Sequence, residues 1–207
     1  MKKLILTAIM IFAVTTAANA NLITNGSFEN GIDPGASFKT ISGPDNSSIT
    51  GWEILYGSVD YIGGYWQAAD GSRSLDMEGN SPSAIRQSIN TVVGQHYLLT
   101  FYMAGNPDGL PSTKVLLTTA DGTSQQFNFT TTGHSKTNMG WALMTLYFTA
   151  TGTETAITFA DESGDPGYYG AALDNISVNA VPEPCTMLLL GSGLAGVAAF
   201  RRKFKKA

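Results

Sequence analysis

Cysteine is nearly absent from this chain: its 207 residues hold one, Cys185, close to the C-terminus. No disulfide can brace the rest, so stability must come from a core or from a bound metal. Histidine is scarce as well. His96 and His134 are the only two, and neither has a second ligand spaced for zinc. Positive charge is missing where a binding surface would need it. Of 12 Lys and Arg, seven sit at the ends: Lys2, Lys3, Arg201, Arg202, Lys203, Lys205 and Lys206. Asn21 to Ala180 keeps only Lys39, Arg73, Arg86, Lys114 and Lys136 against fifteen of the 16 acids, a formal charge of −10. Phosphate contacts need clustered Lys and Arg, which argues against nucleic acid as a partner. The same stretch has no Gly-x-Ser-x-Gly elbow and no thiol, so a common acyl-transfer nucleophile lacks its parts. No segment of it keeps a 3.6-residue period for about twelve residues without Gly or Pro, which excludes a long amphipathic helix.

What is present reads as β-structure. Hydrophobic residues at 43% and aromatics at 10% argue against disorder, and 160 residues can bury one core. Gly, Ser, Thr, Asn and Asp punctuate the body at short intervals, with runs of Thr, Tyr, Phe, Ile and Val between them. In residues 95–104, Tyr97, Leu99, Phe101 and Met103 alternate with His96, Leu98, Thr100 and Tyr102. In residues 141–149, Ala142, Met144, Leu146 and Phe148 alternate with Trp141, Leu143, Thr145 and Tyr147. Both runs are apolar on more than one side, which predicts two central strands. Further strands are expected in 74–77, 84–89, 114–119, 125–129, 155–160 and 173–178. Around ten strands and almost no helix in the body predict an all-β, jelly-roll-like sandwich.

The two ends read differently. Lys2-Lys3, the apolar run Leu4 to Val14 and Ala18-Asn19-Ala20 follow the order of a secretory signal peptide, so residues 1–20 are expected to form a signal helix that is removed. The body is then residues 21–180, and the tail is 181–207. In the tail, Pro182-Glu183-Pro184 precedes a short apolar stretch, Thr186 to Phe200, and a basic cluster, Arg201 to Lys206. Some fifteen apolar residues are short for a permanent membrane helix, which needs roughly 20. The basic cluster would stay cytoplasmic. This order of motif, short hydrophobic helix and basic stop resembles the PEP-CTERM sorting signal, with Pro182, Glu183 and Pro184 as the motif. The resemblance implies an exosortase-type membrane protease as partner, transient anchoring in the inner membrane, and export to the surface or to an exopolysaccharide matrix.

The body carries its own signature. It opens with Asn21-Leu22-Ile23-Thr24-Asn25-Gly26-Ser27-Phe28-Glu29 and closes with Leu173-Asp174-Asn175-Ile176-Ser177-Val178. Gly51-Trp52, Val59 to Gly63, Trp66 to Met77 and Ile85-Arg86-Gln87 lie between. Together these resemble galactose-binding-like jelly rolls, which include many carbohydrate-binding modules, and more narrowly the exported choice-of-anchor C families. Such folds often hold a structural calcium between their first and last strands. The resemblance places Glu29 and Asp174 as its carboxylates, with an oxygen at or near Ser27, because Ca²⁺ takes six to eight oxygens.

Sugar rings stack on exposed Trp or Tyr, while acids and amides take their hydroxyls. Tyr65, Trp66, Tyr168 and Tyr169 lie in Gly-rich segments and are the candidate platform; Trp52 and Trp141 read as core. Asp76 and Glu78 share a strand face that reads as solvated. The expectation is an exported, non-enzymatic carbohydrate-binding sandwich at the cell surface or in an exopolysaccharide matrix. The alternatives are a structural matrix or adhesion protein with no discrete sugar site, and a jelly-roll glycoside hydrolase using Asp161, Glu162 and Asp165, since hydrolysis needs two carboxylates in set geometry.

Overall fold

The structure, a computed structural model, describes residues 21–164, 167–181 and 192–193. The signal helix expected over 1–20, the Pro182-Glu183-Pro184 motif, the C-terminal hydrophobic helix and Asp165 lie outside the described residues.

Every named element is a strand. In chain order they are β1 (Phe38–Ser42), β2 (Glu53–Tyr56), β3 (Ser58–Ile62), β4 (Ser74–Asp76), β5 (Ala84–Asn90), β6 (His96–Gly105), β7 (Thr113–Ala120), β8 (Thr123–Thr130), β9 (Ala142–Thr149), β10 (Glu154–Asp161) and β11 (Ala171–Ala180). They form two antiparallel sheets: a six-stranded one in the order β1-β3-β4-β11-β6-β9, and a five-stranded one in the order β2-β5-β10-β7-β8. This is the all-β jelly-roll sandwich predicted above.

Period-2 alternation builds the core. Tyr97, Leu99, Phe101 and Met103 of β6 are buried between the sheets, and the residues between them are not. Aromatic rings then bridge the two layers. Phe101 of β6 meets Phe127 of β8 and Phe159 of β10 edge-on, each at 5.1 Å between centroids. Trp52 sits between Phe28 (5.4 Å) and Phe159 (6.2 Å), its indole N–H donating to the Asn25 carbonyl. Such pairs contribute about 0.5–1.5 kcal/mol each beyond their buried area.

The opening segment runs beside the last strand. Leu22 N donates to Val178 O, Val178 N to Asn21 Oδ1 and Ile176 N to Gly26 O, at 2.9–3.0 Å. In β11 the pairing with β6 slips between Asp174 and Ser177, where Asn175 takes a left-handed backbone with φ 47°. Asn tolerates that conformation, and the resulting bulge ends one register and starts the next.

One expectation is corrected. Residues 142–149 do not form a central strand: β9 is an edge of its sheet, and Leu143 and Tyr147 are 56% and 65% exposed. Its apolar pattern had suggested two covered faces, but β9 has a neighbour on one side only. The eleven strands meet the expectation of about ten, with β1, β2 and β3 the ones not placed from sequence.

Candidate functional site

Alternation also decides what faces away from the core. Tyr61, Leu75 and Leu173 point inward, so Asp60, Asp76 and Asp174, one position along β3, β4 and β11, lie on the opposite face of the six-stranded sheet. Register then sets them side by side: Asp60 pairs with Asp76, which pairs with Ala172. An outward face is ordinarily solvated. Here Asp60 is 8% exposed, and Asp76 and Asp174 are not exposed at all. The expectation that Asp76 and Glu78 line a solvated face is therefore overturned: Glu78 is 1% exposed. The cover consists of two segments, 63–73 and 167–170.

Segment 63–73 is stitched across the sheet. The Trp66 indole donates to Ser74 Oγ (2.8 Å), the Trp141 indole to Gln67 O (2.8 Å) and Tyr65 Oη to Asp108 (2.5 Å). Its turn is held by both carboxylates foreseen as calcium ligands. Asp174 accepts from Ala69 N, Asp70 N and Asn175 N, and Glu29 accepts from Ser72 N, Ser72 Oγ and Arg73 N, all within 2.6–3.0 Å. Ser27 is half-buried in the turn before Phe28. The fold thus brings Glu29 and Asp174 to one loop. Their oxygens accept from N–H and O–H donors, and no group of three His, Cys, Asp or Glu side chains placed for a metal occurs among the described residues.

Burial raises the Asp174 carboxyl from 3.8 to about 7, against the lowering effect of its N–H partners. Between those values the folded state holds a proton that the unfolded state releases. The Asp174 contribution therefore falls as pH rises from 3.8 to about 7, by up to ~4 kcal/mol. Urea unfolding of wild type and Asp174→Asn across this window should show the wild type losing stability relative to the variant as pH rises. Parallel curves would refute the assignment.

Residues 167–170 cover the other acids. Asp76 Oδ1 accepts from Glu78 N and Gly170 N at 3.0 Å, and Oδ2 accepts from Asn106 Nδ2 at 2.8 Å. Burial pushes Asp76 well above the usual carboxylate range, with nearby Asp60 and Asp161 adding to the rise. Asp60 accepts one hydrogen bond, from Thr40 Oγ1 at 2.5 Å, and burial raises it too. One buried cation answers them. Lys114 is fully buried; its ammonium donates to Gly109 O and Tyr169 O while Asp76, Asp161 and Glu78 surround it.

Between the two covers lies a cavity of about 290 Å³. Asp60, Asp76, Asn80 and Asn106 supply its polar groups; Phe38, Tyr65, Trp66, Tyr168 and Tyr169 supply rings. All four aromatics singled out in the sequence therefore line one cavity, in different roles. Tyr168 is 55% exposed at the rim, with a strained φ of 87°. Tyr65 is half-buried, packed edge-on against Phe38 at 5.0 Å. Trp66 is only 5% exposed and belongs to the core, so it can offer an edge but no open face. Tyr169 is half-buried. Trp52 is core, as read; Trp141 is not, and lines a second recess of about 430 Å³ with Gln67, Tyr102, Asn138 and Asn175. Sequence reasoning did not single out Asp60, Thr40, Asn80 or Asn106. An acid inside the apolar run Val59-Asp60-Tyr61-Ile62 was the one available signal.

The hydrolase candidates have other partners. Asp161 accepts from Ser163 N, Ser163 Oγ and Ala171 N, and Glu162 accepts from Gln126. These contacts anchor the end of β10 to the covering segment.

The family model described as "Protein of unknown function (DUF642)" matches residues 21–179. The chain belongs to the DUF642 family. A second model, the PEP-CTERM protein-sorting motif, matches residues 180–203, so the DUF642 domain is followed by a sorting tail. Halomucin of Haloquadratum walsbyi is 32% identical over 184 residues, 87% of this chain and 2% of that protein. Protein DUF642 L-galactono-1,4-lactone-responsive gene 1 of Arabidopsis thaliana is 28% identical over 177 residues, 78% of this chain and 46% of the relative. The chain thus spans under half of the plant relative and a small part of halomucin. Among solved structures, the DUF642 domain is similar to TmCBM61 in complex with beta-1,4-galactotriose (TM-score 0.44, 13% identity, 78% of this chain and 99% of that one). It is also similar to Family 16 Carbohydrate Binding Module-2 (TM-score 0.46, 18% identity, 76% and 99%).

Proposed function

We propose that this chain is an exported, non-enzymatic protein of the cell surface or exopolysaccharide matrix, whose DUF642 domain binds carbohydrate in the cavity between Tyr65 and Tyr168. In this reading an exosortase-type protease recognises the tail, which holds the chain at the inner membrane until processing. The observation that carries the binding function is the composition of the cavity. Aromatic rings form its walls, and carboxylates and amides form its floor. Rings take the apolar faces of a sugar, and fixed acceptors and donors take its hydroxyls. The non-enzymatic part is supported by Asp76, which accepts three hydrogen bonds from the wall itself and so serves as structure rather than as a proton donor.

Tyr168 provides the test. A bulky residue with φ 87° is strained, and strain of this kind is retained where it positions something. Tyr168→Gly should relieve the backbone and leave the domain as stable as wild type or more so. It should also weaken sugar binding at least about tenfold, the loss of ~1.5 kcal/mol of ring contact. The measurement is affinity electrophoresis of the full chain in mild detergent, through gels cast with a panel of polysaccharides. Retardation by one class, lost in Tyr168→Gly, supports the reading. Free migration through every gel points instead to a structural matrix protein, and cleavage of any polysaccharide in the panel overturns the non-enzymatic part.

A further inference from the structure

We propose that the sugar this cavity takes carries a free amine, an N-unsubstituted hexosamine unit whose ammonium sits against the Asp60 carboxylate. The inference rests on the carbohydrate reading above and names the ligand class.

The first observation is the sign of the lining. Two aspartates line the cavity and no Lys or Arg does. The cations nearby are committed elsewhere: Lys114 to the carbonyls of Gly109 and Tyr169 behind the wall, and Lys136 to Asp108 at 2.9 Å outside it. Arg73 donates to Tyr61 Oη and Ile32 O. A uronate or a sulfated sugar would meet like charge here, whereas an ammonium meets its complement.

Asp60 supplies the second. The side chain is more than nine-tenths buried, yet only Thr40 donates to it among the described residues, and to one oxygen. What remains of its exposure opens on the cavity it lines. A buried carboxylate with spare acceptor capacity is costly unless a partner arrives, and a charged donor offsets more of that cost than a hydroxyl.

The third observation concerns the ring. The fold already holds one ammonium by the same two kinds of contact. Lys136 Nζ lies 3.9 Å from the centroid of Tyr65 while it bonds Asp108, a ring and a carboxylate acting together on an amine. Inside the cavity, Asp60 and the rings of Phe38 and Tyr168 offer the same two kinds of group. At about 290 Å³ the cavity lies at the small end for a ligand site, the scale of a single ring rather than of a long chain.

Isothermal titration of the full chain in mild detergent, at mildly acidic pH, should compare four oligosaccharides of equal length. These are fully deacetylated chito-oligosaccharide, its N-acetylated form, cello-oligosaccharide and oligogalacturonate. The amine is expected to bind at least tenfold tighter than the acetylated and neutral sugars, and the uronate not at all. Asp60→Asn, which keeps the Thr40 contact, should remove that preference, with the amine losing far more affinity than the neutral sugar. Tyr168→Gly, on an exposed rim residue, should weaken every sugar and serves as the variant least able to disturb the fold. Equal or tighter binding of the acetylated or neutral sugar, lost in Tyr168→Gly, would overturn the amine inference and leave the carbohydrate reading standing. Amine binding indifferent to both variants would mean attraction to the acidic surface at large and would overturn the inference. No binding of any sugar would sink both.

Discussion

Gly26→Ala should cost the domain at least about 3 kcal/mol, or prevent it from folding, although it adds one methyl group. A Cβ on Gly26 would lie 2.0 Å from the carbonyl oxygen of Ile176. That oxygen belongs to the backbone of β11, so no side chain can swing aside. Gly26 O also accepts the hydrogen bond of Ile176 N at 2.9 Å, so separating the two chains breaks the contact that seats the opening segment on the last strand. The consequence would spread. Glu29, three residues on, anchors Ser72 and Arg73, and the turn it holds belongs to the cover over Asp174. Gly122→Ala is the control. It shares the cost of placing a side chain at a positive φ of 76°, but nothing lies within 4 Å of the added carbon, so a loss of about 1 kcal/mol is expected. Denaturant unfolding of both variants checks this. Equal losses would mean that the Gly26–Ile176 approach relaxes and does not dictate glycine.

Lys114→Met should be nearly as damaging, by about 3–5 kcal/mol, because it removes one sign from a buried cluster and leaves the other. Methionine keeps most of the length and apolar volume of the stem, so packing alone cannot account for such a loss. What disappears is the only fully buried cation among the described residues. Asp76, Asp161 and Glu78 then face one another with less compensation, and the carbonyls of Gly109 and Tyr169 lose their donor. The pH dependence identifies the cause. Burial raises Asp76 and Asp161 above their ordinary range, and losing the ammonium raises them further, so acidification neutralises them in the folded variant first. The deficit of Lys114→Met relative to wild type should therefore shrink as pH falls and widen as it rises. A deficit that does not change with pH would assign the damage to packing. Because Tyr169 adjoins Tyr168, the variant should also loosen the cavity rim and weaken sugar binding.

Sequence alone determined the class of this molecule and its sorting tail. Alternation in residues 95–104 and the spacing of turn residues made it a β-sandwich, because each strand must bury one face and the pattern of that face is written locally. The Pro182-Glu183-Pro184 tail is a linear signal, legible without any fold. The four aromatics could be chosen because they lie in Gly-rich segments, though Trp66 proved to be core.

The tertiary structure decided the site itself. The strands that sequence reasoning missed, β1, β2 and β3, have four or five residues each, too few to display a period, and β3 is buried on both faces with Asp60 in its middle. Two of them, β1 and β3, carry Phe38, Thr40, Asp60 and Ile62 into the cavity. Asp76 and Glu78 have the alternation of a wet face, yet are dry. Local pattern reports which residues leave the core; it cannot report that segments 63–73 and 167–170, distant in sequence, fold back over them. That second covering turns outward-facing acids into buried ones, calls for Lys114 opposite them, and encloses the space between.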